Sequence, residues 1–99
     1  MVLYLNNRHQ LIAPVVESLG TIDGASIYPR VILQQVLKHN AAACIFLHNH
    51  PSSVVNPSDA DVAITKKLID ALHFIDVRVL DHLVVTANEI TSLAERGLM

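Results

Sequence analysis

Four residues of this chain stand at spacings that can do chemistry: His48, His50, Ser58 and Asp61. The histidines sit two apart at the end of the apolar run Ala43-Cys44-Ile45-Phe46-Leu47, and Ser58 and Asp61 follow a Pro- and Ser-rich stretch. If the apolar run is a strand, side-chain alternation places His48 and His50 on one face. A carboxylate from the start of the next helix then adds a third ligand. Two imidazoles and one carboxylate suit zinc (Zn2+), and three protein ligands leave the fourth tetrahedral position to water, as catalytic zinc sites do. Each part also has a plainer reading. His-x-His is a weak signal in a chain with six histidines, and Ser58-Asp59-Ala60-Asp61 is a good helix start, with Ser58 as N-cap and Asp61 reaching back from N3. Taken singly, Ser58 and Asp61 read better as a cap. Taken together the metal site reads better, because histidines ending an apolar strand are costly to bury unless partnered.

The elements that must position these residues follow from periodicity. Val2-Leu3-Tyr4-Leu5 and Gln10-Leu11-Ile12-Ala13 flank Asn6-Asn7-Arg8-His9, which predicts a hairpin because Asn tolerates positive φ. The second strand is expected to run on through Val15, Val16 and Glu17 towards Gly20, with Pro14 marking an edge or a bulge. Pro29 suits the first turn of a helix that carries Ile32, Leu33, Val36 and Leu37 on one side and ends at Asn40. The strand from Ala42 to Leu47 is apolar on both faces, as for a central strand covered by helices. Pro51 to Pro57 reads as a loop. Ser58 then opens a helix to about His73, with Ile64, Leu68, Ala71 and Leu72 as its buried stripe. Val77 to Thr86 and Glu89 to Leu93 read as strands, and Ser92 to Gly97 as a closing turn. Strands before, between and after two helices give an α/β domain with a mixed β-sheet flanked by helices.

With 99 residues, of which 52% are hydrophobic and 16% charged, the chain suits one domain over 1–99. The net charge of -2 and the scattered Lys and Arg argue against direct DNA binding, which needs concentrated basic charge. The single Cys44 lies within an apolar strand and reads as a buried thiol in a reducing compartment. With neither a signal peptide nor a membrane-length apolar stretch in the sequence, the expected location is cytoplasmic and no membrane partner is expected.

The pattern His48-x-His50, seven residues, Ser58, two residues, Asp61 resembles the JAMM motif of the JAB/MPN metallopeptidases. The wider string His48-Asn49-His50-Pro51-Ser52 looks like the RadC branch of that superfamily. So do Asn40-Ala41-Ala42-Ala43, Val79-Leu80-Asp81-His82 and Ala94-Glu95-Arg96-Gly97, so that the resemblance covers nearly the whole chain. It implies a single JAB/MPN domain, similar in fold to cytidine deaminases. It also implies a zinc-dependent hydrolase of amide or isopeptide bonds acting on a peptide or protein substrate, in a family linked by name to DNA repair. RadC proteins as usually met also carry an N-terminal helix-hairpin-helix DNA-binding region, and nothing in these residues looks like it. A zinc deaminase would need His-x-Glu with Pro-Cys-x-x-Cys, whereas this chain has His48-Asn49-His50 and one cysteine.

In the family's pattern His48, His50 and Asp61 hold zinc, which brings the pKa of bound water to about 7. Ser58 donates a hydrogen bond to the water or to the developing oxyanion, and a glutamate from an upstream strand serves as general acid/base. RadC relatives carry acids four or five residues before the glycine matching Gly20, and those places hold Val16 and Val15 here. The nearest acid is Glu17. It shares strand parity with Val15, and a bulge near Pro14 would shift the register. Two readings of Glu17 stand open: the general base, or an ordinary edge-strand carboxylate in a metal-binding interaction module without turnover. Ser53 replaces a glycine usual in relatives, and Tyr28-Pro29-Arg30-Val31 replaces His-Pro-Arg-Glu. Asp81 can orient a zinc histidine from behind or stand with His82 as a solvated strand-end pair, with the second reading favoured. Asn49 is expected to anchor backbone on the other strand face, and His9, His39 and His73 to lie at the surface.

Overall fold

The computed structural model describes residues 1–15, 29–49 and 56–99. Its order is β1 (Val2–Leu5), β2 (Leu11–Val15), α1 (Pro29–Lys38), β3 (Ala43–Asn49), α2 (Asp59–His73), β4 (Arg78–Val85) and β5 (Ile90–Ser92). One mixed sheet runs β2-β1-β3-β4-β5, parallel only between β3 and β4. That parallel pair requires a crossover, and α2 supplies it. The α/β architecture is the one expected from the sequence and is consistent with a JAB/MPN fold.

The β1–β2 turn forms by a different device from the one expected. The left-handed residue is His9 (φ 58), not an asparagine. Asn6 instead accepts from the backbone N–H groups of Arg8 (2.9 Å) and Gln10 (3.0 Å) through its side-chain oxygen, as an Asx turn does. Pro14 sits in β2 opposite Leu3, and β2 is an edge strand, so its missing N–H costs the sheet nothing. The irregularity in this pair falls between Tyr4 and Leu5, at the hairpin end and before Pro14. The expected continuation through Val16 and Glu17 lies outside the described residues.

Helix α1 buries Ile32 and Val36, with Leu33 packed beside them, but Leu37 is 67% exposed. Its C-terminus is closed as a Schellman motif: Ala41 N–H donates to the Val36 carbonyl and Asn40 N–H to that of Leu37, with Asn40 left-handed at φ 52. Ile32 and Val36 share one core with Leu68 and Leu72 of α2, Val2 and Tyr4 of β1, and Cys44 and Phe46 of β3. Both helices therefore pack on the same face of the sheet. On the other face Ile45 and Leu47 are half-buried, so among the described residues β3 is not sandwiched between helices as its two-sided apolar pattern suggested. Burial pushes the Cys44 thiol up to about 12, leaving it protonated and unreactive at neutral pH.

The β3–β4 ladder contains the detail that matters most for the site. Cys44 pairs with Val79 but Ile45 pairs with Asp81, so Leu80 is an extra residue in β4. Before this bulge the odd-numbered Val77 and Val79 face the core; after it the even-numbered His82 and Val84 do. One inserted residue turns His82 inward and Asp81 outward.

Candidate metal centre

His48 is the last core-facing residue described on β3 and is 9% exposed. Asp61 enters from the first turn of α2 and is fully buried. Both have one side-chain atom held by protein. Asp61 Oδ2 accepts from the Ser58 backbone N–H at 2.8 Å, while Ser58 Oγ accepts from the Asp61 backbone N–H at 3.1 Å. That completes the capping box, with Ser58 extended at φ -75 and ψ 164. On His48, Nδ1 lies 2.9 Å from Nε2 of His82. The other atoms, His48 Nε2 and Asp61 Oδ1, are buried and face one another at 3.7 Å, too far apart for a hydrogen bond between them.

That spacing fits a metal. Two ligand atoms each about 2.0–2.2 Å from zinc at a near-tetrahedral angle stand roughly 3.3–3.6 Å apart. The cap and the ligand are therefore not rival roles for Asp61, because each can use its own carboxylate oxygen. Ser58 is similarly divided: its oxygen accepts within the cap, and its hydroxyl proton has no acceptor among the described residues. The third expected ligand, His50, and the expected base, Glu17, lie outside the described residues, as do Ser53 and Tyr28. Among the described residues no three of the metal-binding types converge; the pair that does converge is His48 with Asp61.

Behind His48 is a polar line that the sequence did not single out, and it includes His82, which was expected with Asp81 as a solvated strand-end pair and is instead buried. His82, 2% exposed, has its Nδ1 2.6 Å from Thr65 Oγ1, and Thr65 Oγ1 donates to the Asp61 carbonyl at 2.6 Å. Thr65 is one turn beyond Asp61, so Asp61, Thr65, Leu68 and Leu72 form one buried stripe of α2, while Ile64 is only half-buried. The available signal was two polar residues at i and i+4 in line with the apolar i+7 and i+11. Burial, then the nearby His48, push His82 down to about 4, with Asp61 and Asp81 opposing, so the ring is neutral at pH 7. Its edge also meets Phe46 at 6.0 Å between ring centres.

Asp81 takes neither of the roles considered for it. Half-buried on the outward side of the bulge, it accepts from the N–H of His82 (2.7 Å), the Ser92 hydroxyl (2.5 Å) and the N–H of Ala94 (3.1 Å), pinning the C-terminal turn to β4. Arg96 in that turn donates to Asn56 Oδ1 at 2.8 Å and so ties the turn to the approach to α2. Asn49 is exposed and makes no side-chain hydrogen bond among the described residues, so it does not anchor backbone there. His9 and His73 are exposed, whereas His39 stacks half-buried on Tyr4 with ring centres 5.3 Å apart. A groove of about 250 Å³ opens beside His48, lined by Met1, Leu47, Asn49 and Val85. It lies where the parallel strands β3 and β4 end, the usual ligand side of such strands.

A buried histidine facing a buried carboxylate from a helix start, beyond a parallel β3–α2–β4 unit, is the arrangement that the JAMM-like spacing led us to expect. The model of the RadC-like JAB domain matches residues 1–98. The chain belongs to the RadC-like JAB domain family. Its similar relatives include UPF0758 proteins of Marinobacter nauticus, 55% identical over 97 residues, and of Cellvibrio japonicus, 57% identical over 96. A UPF0758 protein of Nitrosococcus oceani is 54% identical over 97 residues. These alignments cover 97–98% of this chain and 43% of each relative, so the RadC-like domain spans less than half the length of the curated proteins it matches. None of the described helices is long and apolar enough to cross a membrane.

Proposed function

We propose that this RadC-like domain is a zinc-dependent hydrolase of peptide or isopeptide bonds, with His48, His50 and Asp61 as ligands, Ser58 as oxyanion donor and Glu17 as general base. The observation that supports it most is the buried pair His48 Nε2 and Asp61 Oδ1, facing at 3.7 Å with their companion atoms held by His82 and Ser58. Zinc bound there supplies Lewis acidity and a water that ionises near neutral pH. The capping box keeps Asp61 Oδ1 directed at His48. The Ser58 hydroxyl proton is available to a substrate oxygen as negative charge develops on it. Glu17 takes a proton from water and returns it to the leaving amine. The unreactive buried Cys44 accords with a cytoplasmic, reducing location.

The second reading is a metal-binding interaction module without turnover. It is favoured by Val15, which ends β2 opposite Val2 and, with Val16, stands where the resemblance to the RadC pattern implies an acid. Zinc-loaded and chelator-treated protein, tested on peptide- and isopeptide-linked fluorogenic substrates, separates the two. Chelatable turnover that disappears in Glu17→Gln is expected. In Ser58→Ala, turnover should fall by roughly 10²-fold with zinc retained and about 1 kcal/mol of stability lost with the cap. A stability loss without a change in turnover makes Ser58 a cap alone. Inert wild type together with an active Val16→Glu variant establishes the non-catalytic reading. We also propose that this domain does not itself bind DNA: a titration at low and moderate salt should show no submicromolar affinity, whereas tight binding with a steep salt slope overturns that.

A further inference from the structure

We infer that Thr65 and His82 are positioning residues that fix the ring tautomer of His48 through a directed line of buried hydrogen bonds. The inference rests on the metal reading only for its purpose; the line itself is a matter of donors and acceptors. It starts at a group with no choice. The Asp61 carbonyl can only accept, and it lies 2.6 Å from Thr65 Oγ1, so the single hydroxyl proton of Thr65 points at it. Thr65 Oγ1 must then accept its second bond, the 2.6 Å contact to His82 Nδ1, which places the His82 proton on Nδ1. In the neutral ring His82 Nε2 is consequently the bare nitrogen. It accepts at 2.9 Å from His48 Nδ1, so His48 also carries its proton on Nδ1. The lone pair of His48 is left on Nε2, the atom facing Asp61 Oδ1.

Reversing the line makes its purpose plain. With the Thr65 hydroxyl turned towards His82, a carbonyl and a hydroxyl oxygen would meet at 2.6 Å with no proton between them. His48 would then be protonated on Nε2 and turn an N–H, not a lone pair, towards the carboxylate across the 3.7 Å gap. The bulge at Leu80 makes the forward arrangement possible, because without it the strand would present Asp81 and not His82 to the core side. It also makes the acceptor behind His48 a neutral ring. Histidine ligands more often donate to a carboxylate, carbonyl or water, and a neutral acceptor polarises the ring less than a charged one.

The test uses the full chain, isotope-labelled and metal-free at pH 8, where long-range proton–nitrogen spectra distinguish protonated from bare ring nitrogens. His48 and His82 should both show a protonated Nδ1 and a bare Nε2. Thr65→Val removes the hydroxyl at nearly constant shape; His82 should move its proton to Nε2 and His48 should follow. Zinc affinity, measured by competition with a chelator, should then fall by roughly 10–100-fold. Thr65→Ser should restore both readouts, which a role in packing alone would not require. If Thr65→Val does not fold, the wild-type and Thr65→Ser spectra still decide. A wild-type His48 protonated on Nε2, or tautomers unchanged in folded Thr65→Val, overturns the inference even if zinc binds. Rings protonated on Nδ1 in a wild type that binds no zinc uphold the line while the metal reading fails.

Discussion

Asp61→Asn is expected to lower zinc content from about one ion per chain to almost none while leaving the domain folded. The substitution keeps the side chain's size and an oxygen able to accept from the Ser58 N–H, so the box that starts α2 can persist. It removes the negative charge facing His48 Nε2. A neutral carboxamide is a poor zinc ligand beside two imidazoles, so binding rather than folding should respond. His50→Ala provides the parallel loss from the other side of the expected ligand set. Elemental analysis of the wild type and both variants, purified at neutral pH, measures this directly. Equal zinc in all three would remove the proposed ligand set, whereas loss of metal with retained helical signal supports it. Purification in acid is uninformative, because protonated histidines release metal.

Acid should destabilise the metal-free domain by roughly 3 kcal/mol between pH 7 and pH 4 through His82 alone. Burial is the main cause of its lowered pKa: the folded ring stays neutral down to about 4, while its ordinary value is 6.5. Between those values the unfolded chain binds the additional proton, so stability is complete above pH 6.5 and falls as pH drops towards 4. Urea unfolding across this range, with chelator present throughout, gives the slope. His82→Gln retains a donor and an acceptor but cannot titrate, so its stability should vary less with pH by about that amount. Equal slopes in the two proteins would show that His82 is not the group responsible. Keeping metal out of both matters, since ligand protonation would add a second acid-dependent loss.

These results depend on different amounts of information in the sequence. The Ser58 cap and the extent of α2 were legible because they are local: an N-cap and its N3 acid interact within one turn, whatever surrounds them. The edge position of Pro14 and the end of α1 at Asn40 were legible for the same reason. Leu37 was misplaced because an apolar residue at helical spacing marks a face only approximately, and here that face is narrower than the pattern.

The chain by itself determined the α/β element order, the family and the pairing of His48 with Asp61, since each follows from spacing along one β3–α2 segment. Only the tertiary structure decided which residue stands behind His48. Parity counted from Val77 and Val79 would assign Asp81 to the core side; the extra residue Leu80 reverses it and brings in His82. Such a bulge exists only in the pairing of β4 with β3, a contact between segments separated by a whole helix. The same holds for Thr65, which reads as a minor polar interruption of a helix until β4 places an imidazole against it. Hydrogen bonds across packed elements have no period in the sequence, so a line from the Asp61 carbonyl to His48 becomes visible only once α2, β3 and β4 are in place.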